Sequence, residues 1–246
     1  MDRRLTTFCR DTVATLLLWL YFTLGFLLFF LPRYLWALRF SPNREFAFQR
    51  LNSRFYQGLF TMLHILAPRV RVQASEGFRR LSGAVVVSNH VSYLDPLLFL
   101  AQFPRQKTIV KSLFFRTPIF GWFITQSGYM PASASGPAGE LMIRSMATVA
   151  DFFAAGGVFF VFPEGTRHME GRDVDLHEGA FKIASRYKVP LAVVRIRNTE
   201  KVFPPGRFLF RTTAPVTITV DLMAVFNGKS ASLKPGELKE KVKAIL

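Results

Sequence analysis

The 246 residues include a single cysteine, Cys9, which excludes an internal disulfide and any cysteine-based metal cluster. One unpaired thiol fits a reducing compartment. Acidic residues are scarce as well: 16 Asp and Glu stand against 32 Lys and Arg, a formal net charge of +16. There is no internal repeat and no low-complexity tract. What the chain does hold is apolar. Half of its residues are hydrophobic and 27 are Phe, ample for a packed core and incompatible with a disordered chain. So basic a chain suits nucleic acid or the anionic surface of a membrane. No nucleic-acid-binding module is recognisable, and nucleic acid does not explain where the apolar residues lie.

Between Asp11 and Arg33 run 21 residues without a charge, 12–32. A helix of that length reaches about 30 Å, the thickness of a bilayer core. Trp19 and Tyr21 lie within it, and Tyr34 and Trp36 follow at interfacial depth. The run is longer than the apolar region of a signal peptide and lacks a small-x-small cleavage site, so a retained membrane helix is expected. Arg3, Arg4 and Arg10 precede it while Arg33, Arg39 and Arg44 follow, and the positive-inside rule gives no orientation. From about residue 45 to 66, Phe48, Leu51, Phe55, Leu59, Met62 and Leu66 form one helical stripe, with Arg50, Arg54, Gln57 and Thr61 on another face. That pattern suits a helix on the bilayer surface or packed on the first helix. Two arrangements stay open: a hairpin dipping into one leaflet, or one spanning helix followed by a core helix. Residues 1–67 are thus expected to form membrane-associating helices and residues 68–246 a separate α/β domain.

After Pro68 the texture changes. Short β-branched or apolar runs at 84–88, 108–110, 158–162, 189–196 and 216–222 predict strands. Residues 95–103, 140–155, 179–187 and a charged stretch from about 235 predict helices. Their alternation predicts an α/β fold, a central mixed and largely buried β-sheet flanked by helices, behind an N-terminal two-helix membrane motif. Residues 133–139, Ser-Ala-Ser-Gly-Pro-Ala-Gly, are the expected mobile loop.

Sheet enzymes gather their chemistry where strands end and helices begin. Asn89-His90 follows the strand at 84–88, and Asp95 follows His90 with four residues between. A turn there can set the carboxylate against one imidazole nitrogen, fixing the tautomer and raising the basicity of the other, as a general base requires. The spacing alone is weak, because His168 and Asp173 share it. No strand precedes that second pair, which reads as solvated loop. The stretch Phe162-Pro163-Glu164-Gly165-Thr166-Arg167 also follows a strand. Gly165 permits a tight turn and close backbone approach. Glu164 can accept a hydrogen bond from a hydroxyl, and Arg167 can grip a phosphate with two bonds. Taken alone, the stretch is equally a turn with a surface salt bridge.

Together, Asn89-His90-x4-Asp95 and Phe162 to Arg167, about 70 residues apart and in that order, resemble the first and third blocks of the lysophospholipid acyltransferase family, typified by 1-acyl-glycerol-3-phosphate acyltransferase. The likeness extends over about residues 70–220. It implies that His90 deprotonates the free sn-2 hydroxyl of 1-acyl-glycerol-3-phosphate while Asp95 orients the imidazole. The alkoxide then attacks the thioester of acyl-CoA or acyl-carrier protein directly, giving phosphatidic acid. No acyl-enzyme, no metal and no cofactor beyond that co-substrate is implied. Ser92 invites a serine-triad reading, but the sequence has no Gly-x-Ser-x-Gly elbow.

The resemblance assigns acceptor binding to Glu164, Gly165, Thr166 and Arg167. Lys111-Ser112-Leu113 matches the residues ahead of the family's second block and makes Lys111 a phosphate ligand beside Arg167. That block departs from pattern, because its usual arginine, five residues after Gly128, is here Ser133. Phosphate recognition then rests on Lys111 and Arg167, with Arg116 as a further cation, or the acceptor headgroup differs. In the fourth block, residues 189–193, Val193 stands where proline is common, and upstream Glu178 replaces a common lysine. The implied partners are a lysolipid acceptor, the acyl donor and an anionic membrane, with no nucleic acid. Short bacterial members imply the cytoplasmic face of the inner membrane. Acylation of another lysolipid, such as a lyso-ornithine lipid, is the alternative within the class. A non-catalytic lipid-binding membrane protein is the alternative outside it, and the intact His90/Asp95 pair argues against that.

Overall fold

The computed structural model describes residues 3–133, 137–167, 175–227 and 233–246. The chain begins with one continuous helical rod made of α1 (Arg3–Leu20), a π-helical stretch (Tyr21–Phe30) and α2 (Leu31–Phe40). A turn leads into α3 (Arg44–Leu66), capped by the Asn43 side chain on the Phe46 N–H. There follow β1 (Val70–Ala74), α4 (Glu76–Arg79), β2 (Ala84–Ser88), α5 (Leu94–Gln102) and β3 (Gln106–Val110). A 3₁₀ turn (Ser112–Arg116), α6 (Phe120–Gln126), β4 (Met130–Pro131), α7 (Pro137–Ala147) and α8 (Val149–Ala154) come next. The chain closes with β5 (Val158–Val161), α9 (Gly179–Tyr187), β6 (Leu191–Arg197), α10 (Thr199–Val202), β7 (Val216–Phe226) and α11 (Pro235–Lys243).

The seven strands lie in the order β1-β7-β6-β2-β5-β3-β4. Every neighbouring pair is parallel except β6 and β7. The sheet is therefore mixed, and its centre is buried on both faces, as continuous runs such as Val85-Val86-Val87 require. One apolar core beneath α3, α5 and the rod holds Phe78, Phe99 and Phe160. The opposite core holds Phe159, Phe181 and Leu191 under α8, α9 and α11.

The strands and helices expected from periodicity are present, and the structure adds the short α4, α6, α10 and 3₁₀ turn, which were not expected. β1 and β4 were not legible. β1 is an edge strand whose Arg71, Val72 and Gln73 are exposed, and β4 is two residues long. The helix expected at 140–155 divides at Thr148. The Thr148 hydroxyl donates back to the Ser145 carbonyl (3.2 Å) and accepts from the buried Lys107 ammonium (2.8 Å), which competes with the helix ladder. Within the expected loop at 133–139, α7 already begins at Pro137, and residues 134–136 lie outside the described residues. His168 and Asp173 also lie outside them.

The rod is the one helix among the described residues long and apolar enough to cross a membrane, with 22% of its most apolar window buried. Its π-helical stretch follows from two local features. The Thr23 hydroxyl bonds back to the Trp19 carbonyl (2.8 Å), and the Leu31 N–H reaches Phe26, one residue beyond α-helical register, just ahead of the donorless Pro32. Tyr21 crosses onto α3, its hydroxyl donating to the Phe55 carbonyl (2.8 Å) directly over Gly58. A Cβ there would lie 2.1 Å from that oxygen, so only glycine admits the contact.

Of the two settings open for the second helix, α3 packs on the first and also into the sheet. Phe48, Leu51, Phe55 and Leu59 are buried, Leu63 joins them, and Met62 and Leu66 are only half-buried. A polar seam on another face bonds to the α/β part. Gln49 donates to the Ser127 carbonyl (3.0 Å), Asn52 to the Ser127 and Tyr129 hydroxyls (2.9 and 3.0 Å), and Ser53 and Gln57 to the Ala101 carbonyl (3.1 and 2.8 Å). Buried Lys107 pairs with Glu45 in the first turn of α3 at 3.0 Å; burial lowers the lysine pKa and the carboxylate opposes that shift. Arg50 and Arg54 remain on the outside.

Candidate active site

Five strand ends make the site. β6, β2, β5, β3 and β4 run parallel, so their C-terminal ends share one edge of the sheet. His90 follows β2, Glu164 follows β5 and Lys111 follows β3. With strands about 4.8 Å apart, Lys111 begins about 10 Å from the strand that carries His90.

His90 Nδ1 lies 2.9 Å from Asp95 Oδ2. The Asp95 side chain is fully buried, and its charge is met by donors. Oδ2 also accepts from the Val91 and Ser92 N–H groups, both at 2.7 Å, because α5 starts with the carboxylate folded back onto the turn before it. Oδ1 accepts from the Thr199 hydroxyl at 2.5 Å. With Nδ1 held, Nε2 is the nitrogen left for proton transfer. The imidazole stacks on Phe162 with centroids 4.3 Å apart, so the first residue of the third block forms a wall for the histidine of the first.

Asn89 fixes the backbone of this turn. Its side-chain amide donates to the Ile196 carbonyl (2.8 Å) and accepts from the Ile196 N–H (2.7 Å), closing the β2–β6 junction. Ser92 is not a nucleophile in this setting. It is fully buried, donates to the Phe203 carbonyl (2.9 Å) and accepts from the Leu94 N–H.

Glu164 is half-buried and accepts from the His90 backbone N–H. Burial pushes its carboxyl up to about 7, the His90 N–H opposes that shift, and the Asp95 charge adds to it. Gly165 turns with φ +69°, and a Cβ there would lie 2.8 Å from His177 Nε2. Thr166 is exposed. The Arg167 guanidinium lies 3.4 Å above the Tyr93 ring centroid, with Nη1 buried and, among the described residues, without a hydrogen-bond partner. Lys111 is exposed and shares the edge with these groups. Ser133 lies beside it in space, since the Ser133 N–H donates to the Ser112 hydroxyl (3.1 Å). Leu113, Phe114, Ile119 and Phe120 form an exposed apolar rim here.

Residues 69–197 match the family model described as Acyltransferase. The chain belongs to the acyltransferase family. Within it, the chain is 33% identical over 122 residues to the chloroplastic 1-acyl-sn-glycerol-3-phosphate acyltransferase BAT2 of Brassica napus, which covers 50% of this chain and 35% of that protein. A 1-acyl-sn-glycerol-3-phosphate acyltransferase of Saccharomyces cerevisiae is 28% identical over 172 residues, 63% of this chain and 55% of that protein. The chain thus spans about a third of the Brassica napus relative and about half of the yeast one. Its fold is similar to the crystal structure of the 1-acyl-sn-glycerophosphate acyltransferase PlsC from Thermotoga maritima. There the TM-score is 0.69 at 22% identity, with 96% of this chain and 94% of that one covered.

In this acyltransferase-family chain the sequence missed Thr199. It lies 104 residues beyond Asp95, on a four-residue helix that begins after Asn198 in the left-handed conformation (φ +71°). The signal was faint: an Asn-Thr pair just after an apolar strand, where Asn tolerates positive φ.

Proposed function

We propose that the protein is a membrane-surface O-acyltransferase. It moves a fatty acyl group from the thioester of acyl-CoA or acyl-carrier protein to the sn-2 hydroxyl of 1-acyl-glycerol-3-phosphate, giving phosphatidic acid. The observation that carries this is the His90–Asp95 pair: a buried carboxylate with four donors, held against an imidazole at the open edge of a parallel sheet. His90 takes the hydroxyl proton through Nε2, the new oxygen nucleophile attacks the thioester carbonyl, and the carbon–sulfur bond breaks as the imidazolium returns the proton to the leaving sulfur. Asp95 holds the tautomer and offsets the imidazolium charge. Glu164 bonds the acceptor glycerol, Gly165 and Thr166 shape the turn it meets, and Arg167 and Lys111 hold the phosphate. The Arg167 nitrogen, buried and without a partner among the described residues, supports an anionic ligand. No resident cofactor enters the scheme.

The rod supports the membrane setting, since Leu24, Leu27, Leu28, Phe29 and Trp36 are exposed along it. The apolar rim beside Lys111 suits a lipid acceptor entering from the same surface. Ser133, where the family resemblance calls for an arginine, keeps a second acceptor in view, a lysolipid of another headgroup such as a lyso-ornithine lipid.

Purified protein in mixed micelles, given labelled acyl-CoA or acyl-carrier protein and a panel of lysolipids, tests the proposal. His90→Ala is expected to lower kcat by about 10²–10⁴-fold. Undiminished turnover in that variant refutes the mechanism. Transfer to another lysolipid but not to lysophosphatidic acid refutes the preferred acceptor.

A further inference from the structure

Away from the strand ends, α2 and α3 splay where the chain turns between them, leaving a groove of about 690 Å³. Its floor is apolar, formed by Ala37 and Leu51, and one lip is Trp36, 67% exposed. Three guanidinium groups line it: Arg33 from α2, and Arg50 and Arg54 one turn apart on α3. Among the described residues no carboxylate pairs with any of them. Arg33 is held in place by donating to the Phe29 carbonyl.

We propose that this groove binds one anionic glycerophospholipid of the bilayer. The phosphate would lie among Arg33, Arg50 and Arg54, and the upper part of an acyl chain would lie over Ala37 and Leu51 beside Trp36. Charge complementarity selects the headgroup, because three arginines without a carboxylate partner among the described residues line one groove, and guanidinium groups can grip phosphate with two bonds. Continuity selects a lipid over a soluble anion. The groove opens onto the apolar outer surface of the rod, where Leu35, Trp36 and Phe40 are all more than half exposed. An uncharged lipid would leave the three cations unmatched. The volume is that of an ordinary small-ligand site, enough for a headgroup and part of one chain. The groove does not overlap the strand-end site, so it takes a second lipid, which anchors the two-helix unit and fixes its depth. This inference rests on the membrane-surface reading above.

The test uses full-length protein with vesicles of dioleoylphosphatidylcholine, with and without dioleoylphosphatidylglycerol, and native mass spectrometry of the detergent-solubilised protein for a retained phosphatidylglycerol adduct. Replacing Arg33, Arg50 and Arg54 together by Gln is expected to weaken binding to the anionic vesicles by about tenfold or more and to abolish the adduct. Replacing Arg71, Arg186 and Lys241 by Gln removes the same charge elsewhere in the fold and should leave both readouts within about twofold, since headgroup attraction fades within a Debye length. Ala47→Trp fills the groove without altering charge and should also abolish the adduct. Equal loss in the two triple variants, or an adduct that survives Ala47→Trp, overturns the groove site alone. Wild-type protein that binds neither vesicle overturns the membrane reading and this inference with it.

Discussion

Replacing Thr199 by Val tests whether the second oxygen of Asp95 needs its own donor. The substitution keeps the side-chain shape, removes the 2.5 Å hydroxyl contact and leaves Oδ1 buried against a methyl group. Oδ2 keeps His90 and the Val91 and Ser92 N–H groups. A hydrogen bond to a charged group contributes about 1.5–3 kcal/mol, and here no water replaces it. With about 2 kcal/mol lost, Tm should fall by about 4–8 °C in a chain of this size. The freed carboxylate can rotate, and small misplacement of a catalytic pair costs up to about 10²-fold in rate. We therefore expect kcat to fall by about 10–100-fold, while KM for both substrates stays within about twofold. Thr199→Ser separates the two effects. It loses a buried methyl, costing about 1 kcal/mol, yet restores the donor and should recover most of kcat. Steady-state kinetics and thermal melts in the same detergent measure both. Wild-type kcat in Thr199→Val, or Thr199→Ser as slow as Thr199→Val, would refute the reasoning.

Glu164→Gln should flatten part of the pH dependence of stability. The folded carboxyl titrates near 7 rather than at its usual 4.5. The wild type therefore binds the extra proton when folded and loses stability as pH rises from about 4.5 to 7. For a half-exposed group that amounts to about 1 kcal/mol, and melts at pH 5 and pH 8 should show a smaller difference in the variant. Ser133→Arg places a cation beside Lys111 and should lower KM for lysophosphatidic acid by about 2–5-fold. An unchanged KM in a well-folded variant means that Ser133 does not face the acceptor phosphate. Gly58→Val forces Tyr21 off α3 and should destabilise the protein by about 1–3 kcal/mol, read as a lower urea midpoint. A midpoint equal to the wild type would mean that the rod does not depend on this contact.

The central strands were legible because parallel strands buried on both faces read as unbroken apolar runs, as at Val85-Val86-Val87 and Val158 to Val161. β1 was not, since an edge strand presents Arg71 and Gln73 to solvent and shows no buried alternation. The apolar stripe of α3 was legible from its period. Its polar seam was not, because Gln49, Asn52 and Ser53 look like a solvated face until the sheet supplies Ala101, Ser127 and Tyr129 as partners.

By itself the sequence determined the local chemistry. His90 and Asp95 sit within one turn, where spacing alone decides whether two side chains can meet. Glu164 to Arg167 sit on another, where Gly165 sets the geometry. Only the tertiary structure decided what surrounds them. Parallel pairing brought β2, β5 and β6 together, which put Phe162 against the imidazole and Thr199 on Asp95. Those contacts join residues about 70 and 104 positions apart, and no periodicity in the chain encodes such a distance.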